Sequence, residues 1–123
     1  MTQENKELLL KDLCARLSCG VKVKLGDNPN IFDLEYRIKF AVMYGDSDKL
    51  EDILDITNIK PYLFPLSSMT EEQIKEFNSI TQKCSTYIGK SILLTDFCNK
   101  HHIDWRGFIE KGLALDATGL NIY

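Results

Sequence analysis

The stretch VKVKLGDNPNIFDLEYRIKFAVMY, residues 21–44, decides how the chain folds. Its first five residues alternate, with Val21, Val23 and Leu25 set against Lys22 and Lys24. A side-chain period of two belongs to a strand with one face buried. GDNPN at 26–30 is dense in turn formers. The alternation then resumes, with Leu34, Tyr36, Ile38, Phe40, Val42 and Tyr44 on one side. Asp33, Glu35, Arg37, Lys39, Ala41 and Met43 lie on the other. This is the pattern of a β-hairpin with loop 26–31 and Leu25 opposite Phe32. Val23 then falls opposite Leu34 and Val21 opposite Tyr36, while Lys24 meets Asp33 and Lys22 meets Glu35. Apolar and charged pairs are both favourable in that register, and a slip of one residue would set charges against apolar groups.

On the N-terminal side, Leu9, Leu10, Leu13, Cys14 and Leu17 recur at helical spacing, with Glu7, Lys11 and Asp12 on the other face. A helix over 3–18 is expected, capped by Thr2 and ended by Gly20 in the left-handed region. On the C-terminal side, 48–57 fits a short helix or a third strand equally well. Pro61 and Pro65 argue against regular structure over 60–69 and for an extended crossover. Thr70 and Gln73 form a capping box, with Glu71 and Glu72 at the positive end of the dipole and Met69 stapled to Ile74. Ile74, Phe77 and Ile80 give that helix its buried stripe. STYIGK at 85–90 reads as a loop. A helix over 91–102 follows, with Leu93, Leu94, Phe97, Cys98 and His101 on one face. Asp104 then caps a short helix over 105–111 that Gly112 ends, and the tail is extended. The expected fold is a single α+β domain over 1–123: an N-terminal helix, a small antiparallel sheet, then three C-terminal helices.

Composition excludes several classes. The chain has 123 residues, 44% apolar and 27% charged, close to the globular average and unlike a disordered segment. No run of apolar residues is long enough to span a bilayer. MTQENKELLLKDL has no basic run and no apolar segment, so no secretory signal is expected. Fifteen basic residues against eighteen acidic ones leave a net charge of −3, which argues against nucleic acid as the partner. DSDKLEDILD at 46–55 carries Asp46, Asp48, Glu51, Asp52 and Asp55, but lacks the ligand spacing and glycine of a calcium loop. Cys14, Cys19, Cys84 and Cys98 are expected as thiols in a reducing cytosol, with Cys14 and Cys98 as small buried hydrophobes.

Few residues gather for chemistry. Cys98, His101 and His102 lean to one side of a helix and, with Cys14 and Cys19, could offer zinc two thiolates and two imidazoles. The spacing lacks tight C-x-x-C knuckles. A nucleophilic pairing of Cys98 with either histidine is disfavoured, because Cys98 lies near the negative end of its helix dipole. No phosphate-cradling glycine motif occurs. The expectation is a protein that is not an enzyme and holds no cofactor. Tyr62, Phe64, Trp105 and Arg106 are of types enriched at binding hot spots, and they form the candidate site for an unknown protein partner. The alternative is a nucleic-acid-binding accessory protein using the sheet face around Arg37 and Lys39.

KPYLFPLSSMTEEQ at 60–73 and DWRGFIEKGLAL at 104–115 resemble a set of small proteins of Bacteroides-type gut bacteria and their phages and mobile elements. The likeness covers 58–77 and 96–116. The set has no assigned activity, so no site residue transfers from it. The resemblance implies a cytoplasmic accessory protein, phage- or element-borne.

Overall fold

The structure is a computed structural model, and it describes residues 2–44 and 56–123. Helix α1 spans Gln3–Arg16 and opens on Thr2, whose hydroxyl accepts the Asn5 N–H at 3.1 Å. A 3-10 turn, Leu17–Cys19, carries it to Gly20 at φ +77°. Both ends are where local backbone chemistry puts them. The buried stripe is rotated from expectation: it is Leu9, Asp12, Leu13 and Arg16, while Cys14 is exposed. A buried acid and base lie four residues apart on that stripe. Arg16 Nε donates to Asp12 Oδ2 at 2.8 Å, so each neutralises the other inside.

Strand β1, Lys22–Leu25, and strand β2, Phe32–Asp33, pair antiparallel as expected, but two residues out of the expected register. Val23 lies opposite Phe32 and Lys22 opposite Asp33. An offset of two keeps every side chain on its face, so apolar still meets apolar, and the Lys22 ammonium sits 3.8 Å from the Asp33 carboxylate.

The second arm of the hairpin is a helix. Leu34–Tyr44 form α2, where alternation had indicated a strand. The Tyr36 N–H donates to Asp33 Oδ1 at 3.0 Å, an N-cap bond from a residue assigned to the wet side of a strand. Glu35 then lies in the first turn and pairs with Lys39 one turn on at 3.1 Å. Leu34 is buried and Ile38 packs against the core, while Tyr36 is exposed. A strand would have put all three on one face; the helix separates them.

A 3-10 turn, Ile56–Asn58, leads into β3, Ile59–Leu63. The rest of the ambiguous stretch 48–57, and the acid run 46–55, lie outside the described residues. Strand β3 contains Pro61, against the expectation of no regular structure there, and pairs antiparallel with β1. The Gly26 N–H donates to the Asn58 carbonyl at 2.7 Å, so even-numbered residues of β3 turn their backbone to β1 and odd ones away. Pro61 therefore aims its missing donor toward β4, Leu115–Asp116, which begins only opposite Tyr62. No ladder bond is lost. β4 runs parallel to β3, so the sheet, in order β2-β1-β3-β4, is mixed rather than antiparallel throughout.

Helix α3, Glu71–Lys83, starts on the full Thr70–Gln73 capping box. Helix α4 spans Tyr87–Lys100 and begins four residues earlier than the periodicity indicated. Thr86 caps it by accepting the Gly89 N–H at 3.1 Å. A Cβ on Gly89 would lie 2.8 Å from that hydroxyl, so the glycine that suggested a loop belongs to the cap. The expected helix over 105–111 is a run of turns: Gly107 at φ +74° breaks it in the middle. Asp104 still accepts backbone N–H groups, from Phe108 and Ile109, each at 2.9 Å. The described residues thus hold four α-helices and a four-stranded sheet in a mixed α+β arrangement; after β3 come two helices rather than the expected three, and β4 follows them.

One core joins α1, the sheet and the tail through Leu9, Leu13, Val21, Val23, Leu34, Ile59, Leu63 and Phe108. A second is made by Phe97, Cys98 and Ile103, with Phe77, Ile80, Met69 and Trp105 against them. Charge ties the two together. Arg16 Nη2 donates to the Ile103 carbonyl at 2.7 Å, and Arg106 Nε donates to Asp12 Oδ1 at 3.1 Å.

Candidate partner-binding surface

Tyr62 is only 9% exposed. In the β1–β3 register it falls opposite Lys22, and the two backbones are bridged by the Tyr123 hydroxyl. The Lys22 N–H donates to that oxygen at 2.8 Å, and the hydroxyl donates to the Tyr62 carbonyl at 2.7 Å. Past this point β3 changes neighbour: the Phe64 N–H donates to the His102 carbonyl and the Asp104 N–H to the Phe64 carbonyl, both at 2.8 Å. The Tyr123 ring stands between the two neighbours, 3.6 Å from the His102 ring in a stacked pair and 5.9 Å from Phe64. Burial pushes the Tyr123 phenol up to about 12, against the Lys22 bond and the Arg16 charge, which lower it.

Trp105 and Arg106 are half-buried and held. The indole N–H donates to Asn99 Oδ1 at 3.2 Å. The Arg106 guanidinium lies 4.0 Å over the indole ring while bonding Asp12. The structure therefore brings Phe64 beside the 102–104 segment next to Trp105, with all four candidate residues already engaged within the fold.

His102 is packed against this join at φ +59°. Burial first, then the positive charges of Arg16, His101 and Lys22, push its pKa down to about 4 from an ordinary 6.5. Between those values the unfolded chain binds the proton and the folded one does not. Stability present above pH 6.5 is thus lost progressively as pH falls toward 4. His102→Asn, which suits the left-handed backbone, is expected to flatten the fall in urea midpoint between pH 7 and 4. Equal slopes for the two proteins would show that His102 is hydrated in the fold.

The metal and nucleophile constellations do not assemble. Among the described residues no group of three His, Cys, Asp or Glu side chains could hold an ion. Cys14 is exposed on α1 and Cys98 buried on α4. Burial pushes the Cys98 thiol up, outweighing the Arg16 charge that lowers it. Arg37 and Lys39 lie on α2, so the sheet face on which a nucleic-acid site was expected does not carry them.

The largest unexplained feature is α4. Phe97 and Cys98 bury one side of it, yet its other side is also apolar. Ile88 is 72% exposed and Ile92 57% on that side, while Leu93, one turn before Phe97, and Tyr87, three turns before Cys98, are 46% and 86% exposed on the seated side. Ile88 and Ile92 stand on successive turns of one face. A helix apolar on opposite sides is expected to be covered on both; here only one is. Leu93 shares the face of Phe97 as its spacing indicates but stays 46% exposed, and Tyr87 and Ile88 lie in the helix rather than in the expected loop 85–90. The signal available in the sequence was Thr86 three residues before Gly89, an N-cap that carries the helix back over these side chains.

No helix among the described residues is long and apolar enough to cross a membrane. No family model, curated protein or solved structure matches the chain.

Proposed function

We propose that this chain is a non-enzymatic protein-binding module, a cytoplasmic accessory protein of the phage- or element-borne kind that the 60–73 and 104–115 blocks suggest. One observation carries the binding role: Ile88 and Ile92 are exposed on a helix whose opposite side is already seated in the core. Exposed contiguous apolar surface of this kind marks interaction sites. Tyr62, Phe64, Trp105 and Arg106 remain candidates as a second contact region, but their bonds to Tyr123, Asn99 and Asp12 give them structural work. The outer face of α4 has no such work.

The test is a benzoylphenylalanine photocrosslinker placed at Ile88 in the protein expressed in its host. A discrete crosslinked protein band is expected, and it should be absent when the probe sits at exposed Glu110 instead. Equal or no crosslinking at the two positions would overturn the reading.

A further inference from the structure

We infer that the outer face of the sheet binds the phosphate group of a small phosphorylated molecule, held between Lys24 and Lys60. This site is separate from the α4 surface and does not rest on it.

Lys24 on β1 lies directly opposite Lys60 on β3. Residues opposed in an antiparallel pair point to the same face, with Cβ atoms roughly 5 Å apart. Like charges so placed repel each other. Among the described residues, neither ammonium makes an ion pair. Two residues back along β1, Lys22 shows the ordinary arrangement, 3.8 Å from the carboxylate of Asp33 on β2. An anion held by both Lys24 and Lys60 turns their repulsion into two charge-assisted hydrogen bonds.

The two lysines line a cleft of about 250 Å3. Leu115 on β4 gives it an apolar wall, and Gly26, at φ +53°, adds no side chain to it. That volume equals roughly eight waters and falls below the ~300–1,000 Å3 of drug-sized pockets, so the ligand is small. Charge narrows its chemistry. A phosphomonoester carries about −1.5 to −2 at pH 7, which matches two ammonium groups, and its three acceptor oxygens can take both at once. A carboxylate matches only one.

Asp27 also lines the cleft and is exposed there. It repels a long polyanion running past the lysines, as does Asp33 beyond Lys22. It accepts hydrogen bonds from the hydroxyl groups of a small molecule without that cost. With a net charge of −3 on the chain, a polynucleotide is therefore the poorer fit.

NMR titration of the isotope-labelled chain tests this, with inorganic phosphate and with glycerol phosphate at fixed ionic strength. Saturable amide shifts around Gly26, Asp27, Lys60 and Leu115 are expected with both, with Kd of about millimolar order. Lys24→Met and Lys60→Met should each weaken binding at least about tenfold, the loss of one charge-assisted bond. Lys111→Met, on the exposed turns over 105–112, should leave it unchanged. Without phosphate, the Lys24 and Lys60 variants should melt no lower than the parent, because each relieves the repulsion. With phosphate, the parent should gain more in Tm than either. Shifts that do not saturate by about 100 mM overturn the inference, as do shifts spread evenly over the exposed lysines. So does a Lys24 or Lys60 variant that binds like the parent, or one that melts lower without phosphate, since its ammonium then already has a partner in the fold. Acetate that competes as well as phosphate removes the preference for a dianion, and oligothymidylate that binds more tightly than glycerol phosphate makes the face a nucleic-acid surface; either result also overturns it.

Discussion

Asp12→Ala is expected to destabilise the protein by about 3–5 kcal/mol, the usual result of removing one partner from a buried ion pair. Asp12 and Arg16 are both fully buried, and the Asp12 carboxylate serves two cations: Oδ2 takes the Arg16 Nε–H at 2.8 Å and Oδ1 the Arg106 Nε–H at 3.1 Å. Removing it leaves one guanidinium sealed in the interior and another at its rim with no counter-charge. The loss is a large part of the 5–15 kcal/mol that holds a domain of this size together. Arg16→Met should cost less, because it leaves Asp12 still bonded to Arg106 and fills the space with apolar atoms. Urea denaturation of the two variants checks the order. An Asp12→Ala protein within about 1 kcal/mol of the parent would mean that the pair is hydrated, as surface pairs are.

Phe108→Ala carries the second large expected effect, also about 3–5 kcal/mol, from lost burial plus the cavity left behind. Phe108 is fully buried among Leu9, Leu13, Val21 and Leu63. Its backbone is clamped at both ends, the N–H donating to Asp104 Oδ1 and the carbonyl accepting the Leu113 N–H, each at 2.9 Å. That clamping limits how far the turns over 105–112 can collapse into the hole. Ile88→Ala on the outer face of α4 is the contrast: with 72% of the side chain exposed, stability should change by no more than about 0.5 kcal/mol. Thermal melts of both variants separate a core aromatic from a surface one. A small effect at Phe108 would show that the 105–112 turns move to fill its place.

The features that were legible before the structure share one property: their determinants lie within four residues. Thr2 and the Thr70–Gln73 box accept nearby N–H groups, Gly20 takes the left-handed end of α1, and Asp104 accepts from the turns that follow it. The features that were misassigned needed a distant partner. Alternation in 34–44 satisfies a strand and a helix alike, and what selects the helix is the Asp33 cap together with the burial of Leu34 but not Tyr36. Asp12 was assigned to the wet face of α1 because a carboxylate normally belongs there. Its second partner, Arg106, is 94 residues away. Pro61 reads as a strand breaker in the sequence because nothing near it announces that β4 begins only opposite Tyr62.

The candidate surface followed the same division. That α4 is apolar on two sides is written in its residues; which side lies against Phe77 and Ile103, and which stays open, is not.

From its own residues the chain determined a mixed α+β composition, where α1 begins and ends and where α3 begins, and a β1 edge whose apolar and charged sides keep their partners in kind. Those outcomes come from hydrogen bonds and side-chain periods that act over one or two turns. Only the tertiary structure decided that a carboxylate and two guanidinium groups sit at the join of two cores, that Tyr123 closes the gap beside β3, and that α4 turns isoleucines to solvent. Each depends on which distant segments meet, and burial is a property of that meeting rather than of any residue alone.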